Sequence, residues 1–311
     1  MIAARLKKYD PDWLFQLPSF WSMRLHRTFT ILLISLVMLF QTPAYAQAAK
    51  IPPSYPWGSV NYWWDCINDM EIENISVEFK VLSPLREGQF IYIAPIGWAE
   101  IGKTAFYGGI QTDSGGWRSM TDRRRINFGR GGIFSRWARD NKPIPLENAA
   151  GTPETRFEAA LYEGSFISVR RRIPWIESHY KYEVRKLGND SSKSNNWFGA
   201  FITDLNTGVE TEIGRLRFDN QDLVVNKGVA QFVEIYGGNG RGFPEIVVAF
   251  KAPKLNGNDC RSSSVYAVYP KNGHEPHVRY TTTVVEGDWV VSRTRPQPYT
   301  GVLKDERIPV N

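Results

Sequence analysis

The chain has 311 residues, a formal net charge of +6 and 42% hydrophobic residues, so it can bury the core of one large domain or two small ones. Half of the charge excess lies in residues 1–46. That segment holds five of the 38 basic and two of the 32 acidic residues, which leaves 33 against 30 in residues 47–311. A balance of +3 gives little reason to expect a nucleic-acid partner.

Residues 24–46 have the layout of a secretory signal peptide. A basic stretch at 24–27 precedes a 12-residue apolar run at 29–40, and small residues stand at Ala44 and Ala46, where a signal peptidase reads. The run is shorter than the ~20 apolar residues that span a bilayer as a helix. We therefore expect export to the periplasm or the outside of the cell, with no membrane span after cleavage; an uncleaved anchor is the alternative.

The signal-peptide pattern also determines the domain organisation that we expect. Residues 1–22 precede the signal pattern and fit none of its parts, so we expect translation to start at Met23. Residues 1–46 are then a signal peptide with an upstream extension. Residues 47–311 are expected to form a single β-sandwich domain.

Two cysteines, Cys66 and Cys260, are the whole cysteine content of the chain. In an oxidising compartment an isolated pair most simply forms one disulfide, and no Cys-x-x-Cys pattern points to a metal instead. We expect this disulfide to join the N-terminal region to the C-terminal third.

Period-two alternation predicts antiparallel strands along the chain. Apolar and charged residues alternate over 77–81 and 180–185, and a strand at 198–202 leads into a polar turn at 204–208. No stretch after residue 46 has a sustained apolar period of 3.6. We expect about a dozen short strands in an all-β, antiparallel β-sandwich or jelly roll of the concanavalin-like kind, with few or no helices.

One stretch carries a family resemblance. Residues 105–137 contain an aromatic-Gly-Ile-Gln strand, an Arg-rich turn and a Phe-Ser-x-Trp strand, and a Tyr-x-Tyr-x-Val-Arg strand follows at 180–185. In this order residues 90–240 resemble the secreted bacterial family called domain of unknown function 3472. Arg136 stands where that family usually has Val. The resemblance implies an exported β-sandwich, often found in a carbohydrate-handling context, with no characterised activity and no catalytic residues to carry over.

Arginines are unusually dense in residues 118–139, where Asp122 is the single acid among them. Guanidinium groups bind carboxylate, sulfate and phosphate in a bidentate manner. One interpretation is a site for an acidic glycan; the other is a set of solvated residues that pair with acids elsewhere. The arginines are Arg118, Arg123, Arg124, Arg125, Arg130, Arg136 and Arg139.

Aromatic and polar side chains around this cluster complete the candidate site. An aromatic ring packs on the C–H face of a sugar, although many tryptophans of a sandwich belong to its core. For the basic residues 170–172 we expect structural pairing. The candidate ligand-binding residues are Gln111, Asp113, Trp117, Arg118, Arg123, Arg125, Trp137 and Trp175.

The sequence assigns no catalytic residue. A glycosidase needs two carboxylates, and a lyase acting on acidic polysaccharides needs a Tyr or His base beside an Arg or Gln. No motif brings such groups together. The acids considered are Asp113, Glu163, Glu177 and Glu234, and the groups considered for a lyase are Gln111, Arg125, His179 and Tyr182.

We expect no metal or other cofactor. His274 and His277 are three residues apart with Pro between them, which does not match the helical His-Glu-x-x-His pattern of a zinc protease. Residues 256–259 offer oxygen ligands for calcium, but a plain turn is the simpler interpretation.

Together these features favour an exported, non-catalytic protein that binds a carbohydrate or cell-surface glycan, with a preference for acidic polymers. Two alternatives stay open. One is a secreted polysaccharide-active enzyme, a hydrolase or lyase on the same sandwich. The other is a structural envelope protein without a pocket.

Overall fold

The alternating sequence forms two antiparallel β-sheets in the computed structural model. The structure describes residues 57–66, 71–140, 142–160, 164–190, 195–218, 225, 228–236, 244–260, 264–269, 279–299 and 305–310. All of these belong to the compact unit Ala48–Asn311. The predicted signal peptide, its extension and the Met23 start lie outside the described residues.

Strands make up most of the described chain. In chain order they are β1 (Trp57–Trp64), β2 (Asn74–Val81), β3 (Ile91–Ile101), β4 (Thr104–Trp117), β5 (Arg125–Trp137), β6 (Ala149–Ala150), β7 (Arg156–Ala160), β8 (Phe166–Arg172), β9 (His179–Asp190), β10 (Asn195–Asp204), β11 (Glu210–Phe218), β12 (Val229–Ile235), β13 (Ile246–Phe250), β14 (Lys254–Leu255), β15 (Asn258–Asp259), β16 (Ser264–Val268), β17 (Arg279–Glu286), β18 (Trp289–Tyr299) and β19 (Glu306–Pro309).

The strands form two sheets, each built from a different set of strands. The first sheet has the order β19-β16-β1-β12-β3-β4-β5-β8-β7. The second has the order β17-β18-β13-β2-β9-β10-β11-β6, with the short β14 and β15 attached to β2. Neighbours in sequence and neighbours in space differ at several points, so the chain crosses between the sheets repeatedly, as in a sandwich.

The structure confirms the predicted all-β sandwich. On β2 the alternation buries Val77, Phe79 and Val81 on one face. Only one short 3₁₀ turn, Leu146–Asn148, interrupts the strands of the described chain. Within the described ranges, no helix is long and apolar enough to cross a membrane.

Aromatic side chains fill the space between the sheets. Phe106 and Phe134 of the first sheet pack edge-on and stacked, respectively, against Phe218 of the second. The Tyr182 hydroxyl of β9 donates a hydrogen bond of 2.7 Å to the carbonyl of Ile133 on β5. This core holds the two sheets face to face, so the opposite face of the first sheet is left to form a site.

The predicted disulfide is confirmed. Cys66 follows β1 of the first sheet and Cys260 follows β15 of the second, and their Cα atoms are 5.1 Å apart. Both side chains are buried. The bond therefore ties the two sheets together across a sequence separation of 194 residues.

Candidate functional site

A cleft of about 630 Å³ opens on the face of the first sheet that is turned away from the second. Alternation along each strand creates it, because every second side chain points out of the sandwich. Strand β4 thus aims Tyr107, Gln111 and Asp113 into the cleft. The other lining residues are Asn61, Trp63, Tyr92, Gly97, Trp98, Arg125, Ile133, Trp137, Arg170, Ala230, Phe232, Glu234 and Tyr236.

Aromatic rings form the walls of this cleft. Trp63 and Trp98 have ring centroids 5.5 Å apart, and Tyr107 and Trp137 have centroids 4.7 Å apart. These four side chains are partly exposed. The cleft therefore offers two pairs of accessible aromatic faces to a ligand.

Tyr92 lies at the floor of the cleft between two other rings. Its centroid is 6.2 Å from that of Tyr107 and 5.6 Å from that of Phe232, both in edge-on contact. Only 4% of Tyr92 is exposed. This burial raises the pKa of its phenol well above the ordinary value, and the nearby Tyr107 adds to the shift. Tyr92 is therefore a neutral hydroxyl at all physiological pH values.

Tyr92 is the centre of a polar row across three strands. On one side it pairs with Glu234 of β12, and on the other with Gln111 of β4. Adjacent strands are ~4.8 Å apart, so Glu234 and Gln111 lie on either side of Tyr92, each one strand away from it and two strands from each other. A carboxylate, a neutral hydroxyl and an amide are thus gathered at one level of the cleft.

Two atoms of this row lack a hydrogen-bond partner among the described residues. They are the Tyr92 hydroxyl and Gln111 Oε1, both buried. Gln111 is 8% exposed, and its backbone carbonyl accepts a bond of 3.2 Å from the indole nitrogen of Trp175. The backbone of Gln111 is therefore fixed from below while its side-chain oxygen is left unpaired.

Asp113 has a structural role in the cleft, because its carboxylate already accepts hydrogen bonds from neighbouring groups of the protein. Its oxygens accept bonds from the backbone nitrogens of Gly88 and Phe90 and from the Thr112 hydroxyl. The turn that they hold is strained, since Phe90 has a φ of 57°. Tyr236 closes the group by donating to the Asp113 carbonyl at 2.6 Å. Asp113 thus builds the wall of the cleft.

Charged groups lie at another part of the lining. Arg170 Nη2 is 2.6 Å from Glu158 Oε2, and Arg125 Nη1 is 3.0 Å from Glu158 Oε1. A third contact, from Arg170 Nη1 to the carbonyl of Gly115, fixes the guanidinium. The Glu158 carboxylate therefore forms ion pairs with two arginines. Of these, Arg125 is half exposed and faces the solvent.

The structure brings together only part of the predicted site. Gln111, Asp113, Arg125 and Trp137 line the cleft. The predicted residues outside its lining are Trp117, Arg118, Arg123 and Trp175.

Trp117 is the last residue of β4, and Arg118 and Arg123 lie in the turn that follows it. The Arg123 guanidinium is 4.9 Å from the Trp117 ring centroid, and Arg118 pairs with Asp122 at 3.8 Å. Asp122 also forms an ion pair with Arg124, whose Nη2 is 2.7 Å from Asp122 Oδ2. Several arginines of the dense stretch are thus occupied within the turn itself.

Trp175 belongs to the core. It is 2% exposed, and the guanidinium of Arg130 lies 5.1 Å from its ring centroid. Its indole nitrogen supports the backbone of Gln111, as described above. Trp175 therefore acts on the cleft from below and offers no surface to a ligand.

Other predicted groups are separated. His179 of β9 pairs with Glu78 at 3.1 Å in the second sheet, and Tyr182 is buried in the core. Glu177 is exposed ahead of β9. The four groups considered for a lyase therefore do not meet. Glu163 and the two histidines at 274 and 277 lie outside the described residues.

Sequence reasoning missed Tyr92, Tyr107, Phe232 and Tyr236. A signal was present in β12 and the residue after it, where aromatic and acidic side chains at 232, 234 and 236 alternate with Val233 and Ile235. That pattern marks a strand with one buried face and one functional face.

No group of three or more metal-binding side chains occurs among the described residues. The stretch considered for calcium, residues 256–259, is the turn after β14 together with β15. Asn256 Oδ1 accepts bonds from the backbone nitrogens of Glu73 and Asn74, and its Nδ2 donates to the carbonyl of Glu71. The Asn256 side chain thus connects this turn to the start of β2.

No family model and no curated protein matches the chain, so the resemblance to domain of unknown function 3472 stays a prediction. Among solved structures it is similar to scytalido-glutamic peptidase with a peptide-based transition state analog (11% identity) and with a transition state analog inhibitor (9% identity). Each match covers 76% of this chain and 100% of the other, with a TM-score of 0.39. That TM-score is too low for a conclusion about fold or activity.

Proposed function

We propose that this protein binds a carbohydrate chain in the cleft of the first sheet. The observation that carries the proposal is the paired aromatic lining, Trp63 with Trp98 and Tyr107 with Trp137. Aromatic faces pack on the apolar C–H faces of sugars, and polar groups between them fix the orientation of a ligand. The polar row at the floor supplies such groups.

We infer that the protein works outside the cytoplasm. The signal pattern of residues 24–46 supports this, and so does the Cys66–Cys260 bond, since disulfides persist in oxidising compartments. Periplasmic and extracellular sites are both consistent with these features. A carbohydrate of the cell surface or of the surroundings is then the ligand within reach.

The test measures retention and chemistry together. The purified protein is incubated with neutral and acidic polysaccharides, and bound protein and released reducing or unsaturated ends are measured in the same samples. We expect retention without product. Trp98→Ala should weaken retention at least tenfold, whereas Trp117→Ala, a tryptophan outside the cleft, should change it less than twofold. Equal retention by both variants would contradict the proposal.

A second candidate function is hydrolysis in the same cleft. It is supported by Glu234 and Gln111 on either side of Tyr92. A glycosidase needs two reacting carboxylates. Of the other acids beside the cleft, Asp113 binds the 88–90 turn and Glu158 binds two arginines. A carboxyl can act as a general base and an amide can donate to an oxyanion, so Glu234 and Gln111 offer the two groups that hydrolysis of an ester or amide bond uses.

In such a reaction Glu234 would take a proton from the attacking water, and the Gln111 amide would donate to the oxyanion that forms at the carbonyl. Glu234 would then return the proton to the leaving alcohol or amine as its bond to the carbonyl carbon breaks. The test adds acetylated polysaccharide and unfolded protein substrates to the panel and measures released acetate and new amino groups. Product that is lost in Glu234→Gln would make the protein a hydrolase. Absence of product with every substrate would remove this candidate.

A further inference from the structure

Tyr92 differs from the other buried tyrosines of the protein. The hydroxyl of Tyr62 bonds to Thr283 at 2.9 Å, that of Tyr180 to the carbonyl of Ile176 at 3.0 Å, and that of Tyr182 to the carbonyl of Ile133 at 2.7 Å. The Tyr92 hydroxyl has no partner among the described residues. The same fold therefore satisfies its structural tyrosines and leaves this one unpaired.

Buried side-chain atoms without a hydrogen-bond partner among the described residues also occur elsewhere, for example at Ser114, Asn148 and Arg170. Gln111 Oε1 is another, and it belongs to the residue that pairs directly with Tyr92 on the neighbouring strand. A buried polar atom without a partner costs ~1–3 kcal/mol, so such atoms are rare in native proteins. Two of them on directly paired residues that line the cleft point to a partner that comes from outside the chain.

We propose that Tyr92 and Gln111 recognise the hydroxyl groups of a neutral sugar at the floor of the cleft. This inference rests on the proposed function. Gln111 Oε1 is an acceptor, so it needs a donor from the ligand. A sugar hydroxyl both donates and accepts, so it can bond to the Gln111 oxygen and to the Tyr92 phenol. The rings of Tyr107 and Phe232 contact Tyr92 edge-on.

An acidic sugar does not fit this floor. A carboxylate or sulfate only accepts hydrogen bonds, and it would be repelled by Glu234. The arginines of the lining do not reverse this preference, because Arg125 and Arg170 already share Glu158. The floor therefore selects neutral polysaccharides, in contrast to the acidic polymers expected from the sequence.

The first experiment needs no ligand. Tyr92→Phe removes an unpaired hydroxyl, and Tyr182→Phe, its matched control, removes a bonded one. We expect the melting temperature of Tyr92→Phe to equal or exceed that of the wild type, and that of Tyr182→Phe to fall by several degrees. A fall of the same size in both variants would overturn the inference, because the Tyr92 hydroxyl would then have a structural partner such as a buried water.

The second experiment measures affinity by calorimetry. The probes are hexasaccharides of glucose, xylose and mannose, and a hexagalacturonate of the same length. We expect the best neutral probe to bind at least tenfold more tightly than the acidic one, and Tyr92→Phe and Gln111→Met each to weaken it at least tenfold.

The outcomes separate this inference from the function on which it rests. Binding that Trp98→Ala abolishes but Tyr92→Phe and Gln111→Met leave unchanged would overturn the inference and keep the proposed function. A preference for the hexagalacturonate would do the same. Failure of the wild type to bind any probe would overturn both.

Discussion

Arg170 and Glu158 form a nearly buried ion pair at the lining of the cleft, with Nη2 and Oε2 2.6 Å apart. The two side chains are only 8% and 10% exposed. They lie on β8 and β7, at the edge of the first sheet. Since burial removes the water that would otherwise solvate either charge, each group depends on the other.

Neutralising Glu158 should therefore be costly. Glu158→Gln leaves the Arg170 guanidinium buried without its counter-charge, and we expect the free energy of unfolding to fall by ~3 kcal/mol. Urea denaturation measures this. The matched control is Glu154→Gln, which removes the exposed partner of Arg171, the neighbour of Arg170 on β8, and should have a much smaller effect. Equal losses of unfolding free energy in the two variants would contradict the claim that burial makes Arg170 depend on Glu158.

Removing the disulfide should weaken the sandwich. In the double variant Cys66→Ala, Cys260→Ala, the unfolded chain is released from a closure of 194 residues. We expect the free energy of unfolding to fall by ~2–5 kcal/mol, and reduction of the wild type by dithiothreitol to have a similar effect. Denaturation curves that coincide with the oxidised wild type would contradict this.

The turn after β4 should respond to acid. Hydrogen bonds from Arg124, first from its side chain and then from its backbone, lower the pKa of Asp122 from 3.8 to about 2. Because the folded pKa lies below the unfolded one, the contribution of Asp122 to stability is present above pH 4 and disappears as the pH falls towards 2.

Carbon NMR of the Asp122 carboxyl gives the direct measurement. We expect a titration midpoint near 2 in the wild type and a return towards the ordinary value in Arg124→Ala. A wild-type midpoint near 3.8 would mean that the guanidinium does not hold this carboxylate in solution.

The arginines of this turn should be dispensable for ligand binding. Arg118, Arg123 and Arg124 lie outside the cleft lining and contact Asp122 or Trp117. The triple alanine variant is therefore expected to bind the best neutral hexasaccharide within twofold of the wild type. Arg125→Ala, which changes the lining itself, should alter the affinity at least threefold. A larger loss of affinity in the triple variant than in Arg125→Ala would indicate that the ligand binds at the turn and not in the cleft.

The sequence predicted the architecture because alternation is a local property. The pattern at 77–81 and 180–185 identified β2 and β9, and the two cysteines could pair only with each other. Strand β3 was harder. Both of its faces are apolar, since Ile91 and Ile93 enter the core while Tyr92 and Ala94 lie under the cleft. A strand buried on both sides does not reveal which side holds a site.

The candidate site was predicted only in part for a related reason. The density of arginines in the sequence suggested one surface, but a hairpin distributes neighbouring residues to opposite faces and to its turn. Arg125 reaches the cleft while Arg123 stacks on Trp117. The row from Glu234 to Gln111 also depends on strand order, because β12 pairs with β3 across more than a hundred residues. Single-sequence patterns do not contain that pairing.

The most direct test of the account locates the ligand on the protein. Indole N–H signals in a nitrogen–proton NMR spectrum are followed while a neutral hexasaccharide is added. The account predicts that the signals of Trp63, Trp98 and Trp137 shift in a saturable way, while those of Trp64 in the core and Trp289 in the second sheet stay in place. Saturable shifts at Trp289 or Trp117 with unchanged cleft signals would contradict it.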